Sequence, residues 1–259
     1  MQIDQTSNAL AGKHAVVTGG ARGIGAAVTK ALVAQGANVT MLGRSAAPPV
    51  DMTDGAHLHY AVADVCDPAS LENAFASARE RFGAIHILVN NAGQARSAPF
   101  LKTDLALWHS MMRVNLDGTF HAIHAALPGM LDAGWGRIVN VASTAGLIGY
   151  GYVTAYCAAK HAVIGLTRSL ALEVSTKGVT VNAVCPGFTE TEMLQRTIDG
   201  IVAKTGRSAA EARAELSARN PQKRMVQPEE VASAVTWLCL PGSASITGQS
   251  IAIAGGEVM

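Results

Sequence analysis

The stretch Thr18-Gly19-Gly20-Ala21-Arg22-Gly23-Ile24-Gly25 (TGGARGIG) decides the fold class. It follows the apolar run His14–Thr18 and leads into an amphipathic segment, Gly23–Gln35, so it joins a predicted strand to a predicted helix. Glycines allow a tight turn and a close approach of the backbone to a phosphate, and the helix N-terminus offers free N–H groups and a positive dipole end. Because strand and helix both flank it, the stretch predicts a nucleotide-binding turn.

The rest of the chain repeats this alternation of apolar runs and amphipathic segments. Runs without alternation predict strands that are covered on both faces, and they are Asn38–Leu42, His57–Val62, His86–Asn90, Arg137–Ala142, Val179–Val184 and Ser250–Ala254. The segments between them predict helices over Pro68–Arg81, Asp104–Leu127, Val153–Lys177 and Pro228–Leu240. We therefore expect an α/β fold: one domain over 1–259, with a doubly wound, Rossmann-like parallel sheet of about seven strands.

One irregular segment, Phe188–Arg219, follows the end of a predicted strand. Its polar, alanine-rich composition predicts one or two helices outside the main sheet. Open α/β sheets bind ligands at the carboxyl ends of their strands. We therefore expect residues 188–219 to form a small substrate-binding insertion.

Composition excludes several classes of function. The chain has 259 residues, of which 49% are hydrophobic, and its net charge of +1 argues against nucleic acid or a membrane surface as partner. It lacks an apolar stretch of about 18 residues and a signal-peptide pattern at its start. The four cysteines are scattered and indicate a cytoplasmic protein with reduced thiols. His121 and His124 have no evident carboxylate or cysteine partner, so we expect no metal site.

The end of the second predicted strand indicates the type of nucleotide. An acidic residue about 20 positions beyond the glycines would bind the ribose 2′-hydroxyl of NAD. Gly43 and Arg44 stand there instead, so no carboxylate repels a 2′-phosphate. Arg44 can pair with that phosphate, and Arg22 can add a second cation. The sequence therefore favours NADP(H), with NAD(H) and a solvated Arg44 as the alternative.

Three polar residues suggest acid–base chemistry. Tyr156 and Lys160 lie four apart on a predicted helix and share a face, while Ser143 follows a predicted strand. A nearby ammonium favours the phenolate, so we expect Lys160 to lower the pKa of Tyr156 from its reference value of about 10. Tyr156 could then exchange a proton with a carbonyl or alcohol oxygen that Ser143 hydrogen-bonds. On its own such a pair is weak evidence, because it is common on helix surfaces.

Taken together, the motifs resemble the short-chain dehydrogenase/reductase family from Lys13 to Gly256. The matching elements are TGGARGIG (18–25), Asp64, NNAG (90–93), Asn115, Ser143, YCAAK (156–160) and PGFTET (186–191). The resemblance implies an enzyme that transfers a hydride between a nicotinamide cofactor and a secondary alcohol or ketone. It also implies a catalytic tetrad of Asn115, Ser143, Tyr156 and Lys160.

The resemblance also assigns cofactor contacts. It implies that Lys160 and Tyr156 lie at the nicotinamide end, with Asn115 holding a water that links Lys160 to solvent. Asp64 would contact the adenine amino group, and Thr189 would reach the carboxamide. Further cofactor contacts implied by the family are Val65, Asn91, Ala92, Gly93, Pro186 and Gly187.

The substrate is less constrained. We expect the pocket to combine Ser143 with Gln94, Leu147, Tyr152, Phe188 and Met193. The chain is most similar to 3-oxoacyl-thioester and polyketide ketoreductases and to 3-hydroxybutyrate dehydrogenases, which implies a ketone carried as a CoA or carrier-protein thioester. The alternatives are an NAD-dependent dehydrogenase of 3-hydroxybutyrate-like, cyclic or aromatic alcohols and, more distantly, a non-catalytic nucleotide-sensing protein. The intact Tyr156 and Lys160 disfavour the last.

Two segments carry further expectations. Ser45–Ala56 is short and contains Pro48-Pro49, which helix interiors reject, so a loop is expected where the family usually has a helix. The predicted helices Asp104–Leu127 and Val153–Lys177 are apolar around much of their circumference, which one covered face does not require. Together with the resemblance, this predicts a homotetramer.

Overall fold

The centre of the protein is a parallel sheet, which a computed structural model describes together with its surroundings over residues 8–49, 52 and 55–259. Within these residues the sheet has seven strands in the order β3-β2-β1-β4-β5-β6-β7. The strands are β1 His14–Thr18, β2 Asn38–Gly43, β3 Leu58–Val62, β4 Ile87–Asn90, β5 Gly136–Val141, β6 Val179–Pro186 and β7 Ser250–Ile253. The strand order reverses between β1 and β4, so the predicted doubly wound, Rossmann-like sheet is confirmed.

Helices cover both faces of the sheet. They are α1 Gly23–Ala34, α2 Pro68–Phe82, α3 Leu105–Met112, α4 Gly118–Asp132, α5 Thr154–Val174, α6 Glu192–Thr205, α7 Ala209–Ala218 and α8 Pro228–Cys239. Consecutive residues of β1 point into different layers. Val16 packs with Phe75 of α2, whereas Val17 packs with Leu32 of α1 and Val235 of α8. Burial of both faces explains why the strands read as continuous apolar runs.

The predicted helix Asp104–Leu127 differs most from the structure. It consists of α3, a π-helical segment Arg113–Asp117 and α4, which continues through Pro128 to Asp132. Met130 lies fully buried in the core beyond the proline, and this tertiary packing keeps the last turn helical. β1 has the predicted bounds, and the bounds of the other elements differ from those predicted by at most three residues.

The segment after β6 forms two helices, α6 and α7, as the composition predicted. They enclose a small core of their own around Leu194, Ile198 and Leu216. Thr191 caps α6, and Ser208 forms a capping box with Glu211 at the start of α7. The insertion is therefore an ordered layer beside the carboxyl end of β6.

The segment after β2 has no helix over 44–49, which agrees with the loop expected there. The rest of the predicted loop includes residues 50, 51, 53 and 54, which lie outside the described residues. In the described part of the chain, no helix is both long and apolar enough to cross a membrane.

Candidate active site

The residues singled out in the sequence meet at one edge of the sheet. The glycine turn follows β1, the NNAG motif begins at the last residue of β4, Ser143 follows β5, and Pro186 is the last residue of β6. Because all these strands are parallel, their carboxyl ends lie side by side. The motifs thus form one cleft rather than separate surface features.

The glycine turn forms a close-fitting cradle. Gly19 has a φ of +65°, which favours glycine, and a Cβ on Gly25 would lie 2.1 Å from the Gly19 carbonyl oxygen. The N-cap residue of α1, Arg22, has no side-chain capping hydrogen bond within the part of the chain that is described. The first N–H groups of α1 are therefore available to a bound anion. A cavity of about 490 Å³ lies next to the turn, between Arg22 and Pro48.

Hydrogen bonds fasten this turn to the end of β4. The Thr18 hydroxyl oxygen accepts bonds from the backbone N–H groups of Asn91 (3.0 Å) and Ala92 (2.9 Å). The Asn91 side-chain amide donates to the carbonyl oxygens of Thr18 (2.9 Å) and Gly19 (3.2 Å). Thr18 and Asn91, both expected to contact cofactor, therefore also hold the glycine turn in place.

At the other end of the cleft, the side chains expected near the adenosine differ in exposure. Arg44 is exposed, whereas Val65 is buried and packs in the core. Asp64 accepts a hydrogen bond from the backbone N–H of Cys66 (2.9 Å), which turns the chain after β3. An Nη1 of Arg22 lies 3.7 Å from a carboxylate oxygen of Glu192 on α6, and both side chains are largely exposed. Such a pair contributes little to stability and can open for a ligand.

Asn115 sits in the π-helical segment, a feature that often marks functional sites. Its side chain is fully buried and donates to the carbonyl oxygens of Met111 (2.9 Å) and Gln94 (3.0 Å). Its Oδ1 accepts the backbone N–H of Gln94 (3.2 Å). A Cβ on Gly93 would lie 2.9 Å from this Oδ1 and 3.7 Å from Lys160 Nζ, so these predicted residues are neighbours.

Lys160 is buried and its ammonium donates to the carbonyl oxygen of Val141 (2.9 Å). Burial lowers the pKa of Lys160 to about 8. Its Nζ lies 5.7 Å from the centre of the Tyr156 ring, and Tyr156 hydrogen-bonds Ser143. The structure thus brings Ser143, Tyr156 and Lys160 together, with Asn115 beside them across Gly93.

The prediction that Lys160 lowers the pKa of Tyr156 is wrong. Burial raises the pKa of Tyr156 to about 12, and its hydrogen bond with Ser143 only partly opposes this. The physical reason is that burial penalises the charged phenolate, and Lys160 is not among the groups that lower this pKa. At neutral pH Tyr156 is therefore a neutral phenol, the form that donates a proton.

The predicted substrate residues occupy different surroundings. Gln94 donates to the hydroxyl of Ser110 (2.7 Å), and Leu147 packs on the core beside β5. Phe188 packs against the core of the insertion. Tyr152 is 70% exposed, with a φ of +67°, and Met193 is 40% exposed.

The remaining expected cofactor residues lie near the end of β6. Pro186 is its last residue, and the Thr189 hydroxyl donates to the carbonyl oxygen of Gly187 (3.0 Å). Thr189 is also bridged to Val226. The segment that follows the strand is thereby fixed, with a buried hydroxyl at its bend.

Sequence reasoning missed a polar network at the wall of this cleft. The Tyr150 hydroxyl lies 2.8 Å from both the Thr144 hydroxyl and a carboxylate oxygen of Glu257. Since it has one proton, it donates to the carboxylate and accepts from Thr144. Burial raises the pKa of Tyr150 to about 12. Because Glu257 is 107 positions away, no local pattern pointed to this contact.

Known proteins share this architecture. The family model for short chain dehydrogenases matches residues 13–202. D-beta-hydroxybutyrate dehydrogenase from Rhizobium meliloti is 36% identical over 253 residues, covering 94% of this chain and 98% of that protein. The 3-oxoacyl-acyl-carrier-protein reductase of Vibrio cholerae is 38% identical over 252 residues, covering 96% and 99%. A solved actinorhodin polyketide ketoreductase with NADPH, carrying a tryptophan substitution, superposes with a TM-score of 0.90 at 34% identity, covering 97% and 98%. This chain belongs to the short-chain dehydrogenase family.

Proposed function

We propose that the protein is an NADP(H)-dependent ketoreductase acting on a 3-oxoacyl thioester. The observation that carries the proposal is the convergence of Ser143, Tyr156 and Lys160 beside a glycine cradle at one sheet edge. A proton donor next to a dinucleotide site is the arrangement that carbonyl reduction requires.

The cradle fits a dinucleotide. A Cβ at Gly25 would collide with the Gly19 carbonyl oxygen and the Asn91 side chain, so glycine at this position lets the start of α1 pack closely against the turn. The start of α1 would hold the pyrophosphate, Arg44 a 2′-phosphate, and Lys160 the nicotinamide ribose. When bound, the nicotinamide supplies the hydride. Arg44, with no acidic residue at position 43, supports NADP(H) over NAD(H).

Side chains of the protein would donate and replace the proton that ketone reduction consumes. The neutral phenol of Tyr156 holds its proton on Oη, ready for the carbonyl oxygen of the substrate. The Ser143 hydroxyl hydrogen-bonds the same oxygen and orients it. Lys160 lies behind the tyrosine and would pass a proton on to refill Oη, while Asn115 would hold the water that links Lys160 to solvent. Because the pKa of Tyr156 is raised, its Oη carries a proton at neutral pH, as the reduction of a ketone requires.

The substrate class follows from the relatives and from the pocket wall. The Vibrio relative is named for a 3-oxoacyl carrier-protein thioester and the solved neighbour for a polyketide. Phe188 and Met193 provide apolar surface beside the cleft for an acyl chain. The alternative, an NAD-dependent 3-hydroxybutyrate dehydrogenase, is favoured by the Rhizobium relative.

The experiment compares wild type with Tyr156→Phe, which keeps the ring and removes the proton. We expect kcat for reduction of acetoacetyl-CoA with NADPH to fall at least about 100-fold, since general acid catalysis contributes about 10²- to 10⁴-fold. NADPH affinity, read from cofactor fluorescence, should stay within about twofold and serves as the internal control. Near-normal turnover by the variant would refute Tyr156 as the acid. Cofactor binding without turnover on a ketone panel would instead support a nucleotide sensor.

A further inference from the structure

The space beside Gly43 at the end of β2 is filled by a tyrosine from the neighbouring strand. A Cβ on Gly43 would lie 2.5 Å from the hydroxyl oxygen of Tyr60 and 3.1 Å from its Cε2. Contacts shorter than about 3.0 Å are essentially never seen for real Cβ atoms, so something must move if position 43 carries a side chain. Tyr60 lies on β3 and pairs in register with Met41, so its ring leans two residues along the sheet to reach Gly43.

This space faces the glycine turn. Residues 41 and 43 of β2 lie on the same face of the sheet, because side chains alternate along a strand. The Met41 side chain lies 3.1 Å from the position that a Cβ on Gly20 would take, which places that face against the turn. A carboxylate at position 43 would therefore project to the side where NAD-selective sites hold the ribose 2′-hydroxyl. Tyr60 occupies that volume.

The Tyr60 hydroxyl also fixes the chain beyond Arg44. It donates to the carbonyl oxygen of Ser45 (2.8 Å). This bond sets the direction of the backbone immediately after Arg44, the residue that would meet a 2′-phosphate. Arg22 acts on the same hydroxyl: burial raises the pKa of Tyr60, and the charge of Arg22 partly opposes that rise. Arg22 and Arg44, the two side chains that could bind a 2′-phosphate, thus both lie near Tyr60.

We propose that Tyr60 is a cofactor-specificity residue. Its ring occupies the place of an NAD-selecting carboxylate, and its hydroxyl holds Arg44 in position for a 2′-phosphate through Ser45. The inference rests on the proposed use of a nicotinamide dinucleotide and adds the residue that enforces the choice between the two forms. It also changes what a substitution at Gly43 can achieve, since an aspartate there has to displace the Tyr60 ring before it can reach a ribose.

The test is a double-mutant cycle over Gly43→Asp, Tyr60→Ala and their combination, with Tyr60→Phe as a milder fourth variant. The readouts are the dissociation constants of NADPH and NADH, which need no substrate. We expect Gly43→Asp alone to weaken NADPH without improving NADH. The double variant should bind NADH at least tenfold more tightly than Gly43→Asp. Tyr60→Phe, which keeps the ring and removes the hydroxyl that bonds Ser45, should weaken NADPH about threefold to tenfold and leave NADH unchanged.

Thermal unfolding of each variant separates lost binding from lost folding. If Gly43→Asp alone gains NADH affinity as fully as the double variant, the ring is no obstacle and the proposal is wrong. It is equally wrong if Tyr60→Phe and Tyr60→Ala weaken both cofactors by the same factor. A wild type that prefers NADH tenfold would overturn the proposed NADP(H) function instead, and the coupling between positions 43 and 60 would still decide the role of the ring.

Discussion

The buried histidine at the start of β1 makes stability fall in weak acid. His14 has no exposed surface; one ring nitrogen lies 2.9 Å from the Thr40 hydroxyl and the other 3.0 Å from the Gly83 carbonyl oxygen. Burial lowers the pKa of His14 from 6.5 to about 4, with His86 and His59 adding to the decrease and the Gly83 bond opposing it. The unfolded chain therefore binds this proton between about pH 6.5 and pH 4, while the folded chain does not.

Stability from this group is complete above pH 6.5 and is lost as the pH falls through that window. The difference between the two pKa values corresponds to about 3 kcal/mol, since one pKa unit is worth about 1.4 kcal/mol. We therefore expect the free energy of unfolding to fall by about 2 to 3 kcal/mol more in wild type than in His14→Gln between pH 7.5 and pH 4.5. Glutamine keeps a hydrogen-bonding group near Thr40 but does not titrate.

The assay is urea unfolding followed by tryptophan fluorescence at several pH values and one protein concentration. His57→Gln, which removes an exposed histidine near the same end of the sheet, is measured alongside as the matched control for the change to glutamine. Parallel curves for wild type and His14→Gln would refute the reasoning, because they would show that His14 does not titrate differently in the folded and unfolded states.

Three further predictions concern the cofactor site and assembly. Gly25→Ala should weaken NADPH binding more than about 100-fold, because the new methyl group meets the Gly19 backbone. Gly242→Ala, which adds a methyl group in open space, is the control, and equal NADPH affinities of the two variants in a fluorescence titration would contradict a role of Gly25 in cofactor binding. Arg44→Ala should cost NADPH binding about 1.5 to 3 kcal/mol and leave NADH little changed, the range for hydrogen bonds to charged groups; calorimetry that shows equal losses would exclude the 2′-phosphate contact. The exposed Phe120 on α4 and Leu172 on α5 support a homotetramer, which sedimentation at micromolar concentration should show and a monomer would contradict.

Local patterns predicted most of the fold, whereas the resemblance to a family supplied Asn115, Asp64 and Thr189 of the candidate site. The strand–turn–helix around Gly19 and Gly25 depends on neighbours in sequence, and so do the apolar runs that are buried on both faces. The polar residues after each strand follow from the same pattern, since the strand ends of a parallel sheet share one edge. These elements could therefore be found without any knowledge of long-range packing.

Features that depend on distant contacts escaped the sequence. The raised pKa of Tyr156 reflects burial, which its spacing from Lys160 cannot reveal. Tyr60 reaches Gly43 from the neighbouring strand β3, and Tyr150 contacts Glu257, which lies 107 positions further along the chain. The π-helical segment around Asn115 lies within an apolar pattern that is the same for an α-helix.

The π-helical segment between α3 and α4 changes the direction in which side chains point around the helix axis. An α-helix turns about 100° per residue, so a single wider turn resets the angle between the faces before and after it. Upstream, Met111 is buried and accepts the Asn115 amide; downstream, Ala122 and Met130 face the sheet core. Without the reset, a helix aligned to the core would carry Asn115 away from Gly93. The wider turn therefore lets Ala122 and Met130 of α4 pack into the core, while Asn115 stays next to Gly93 and Lys160.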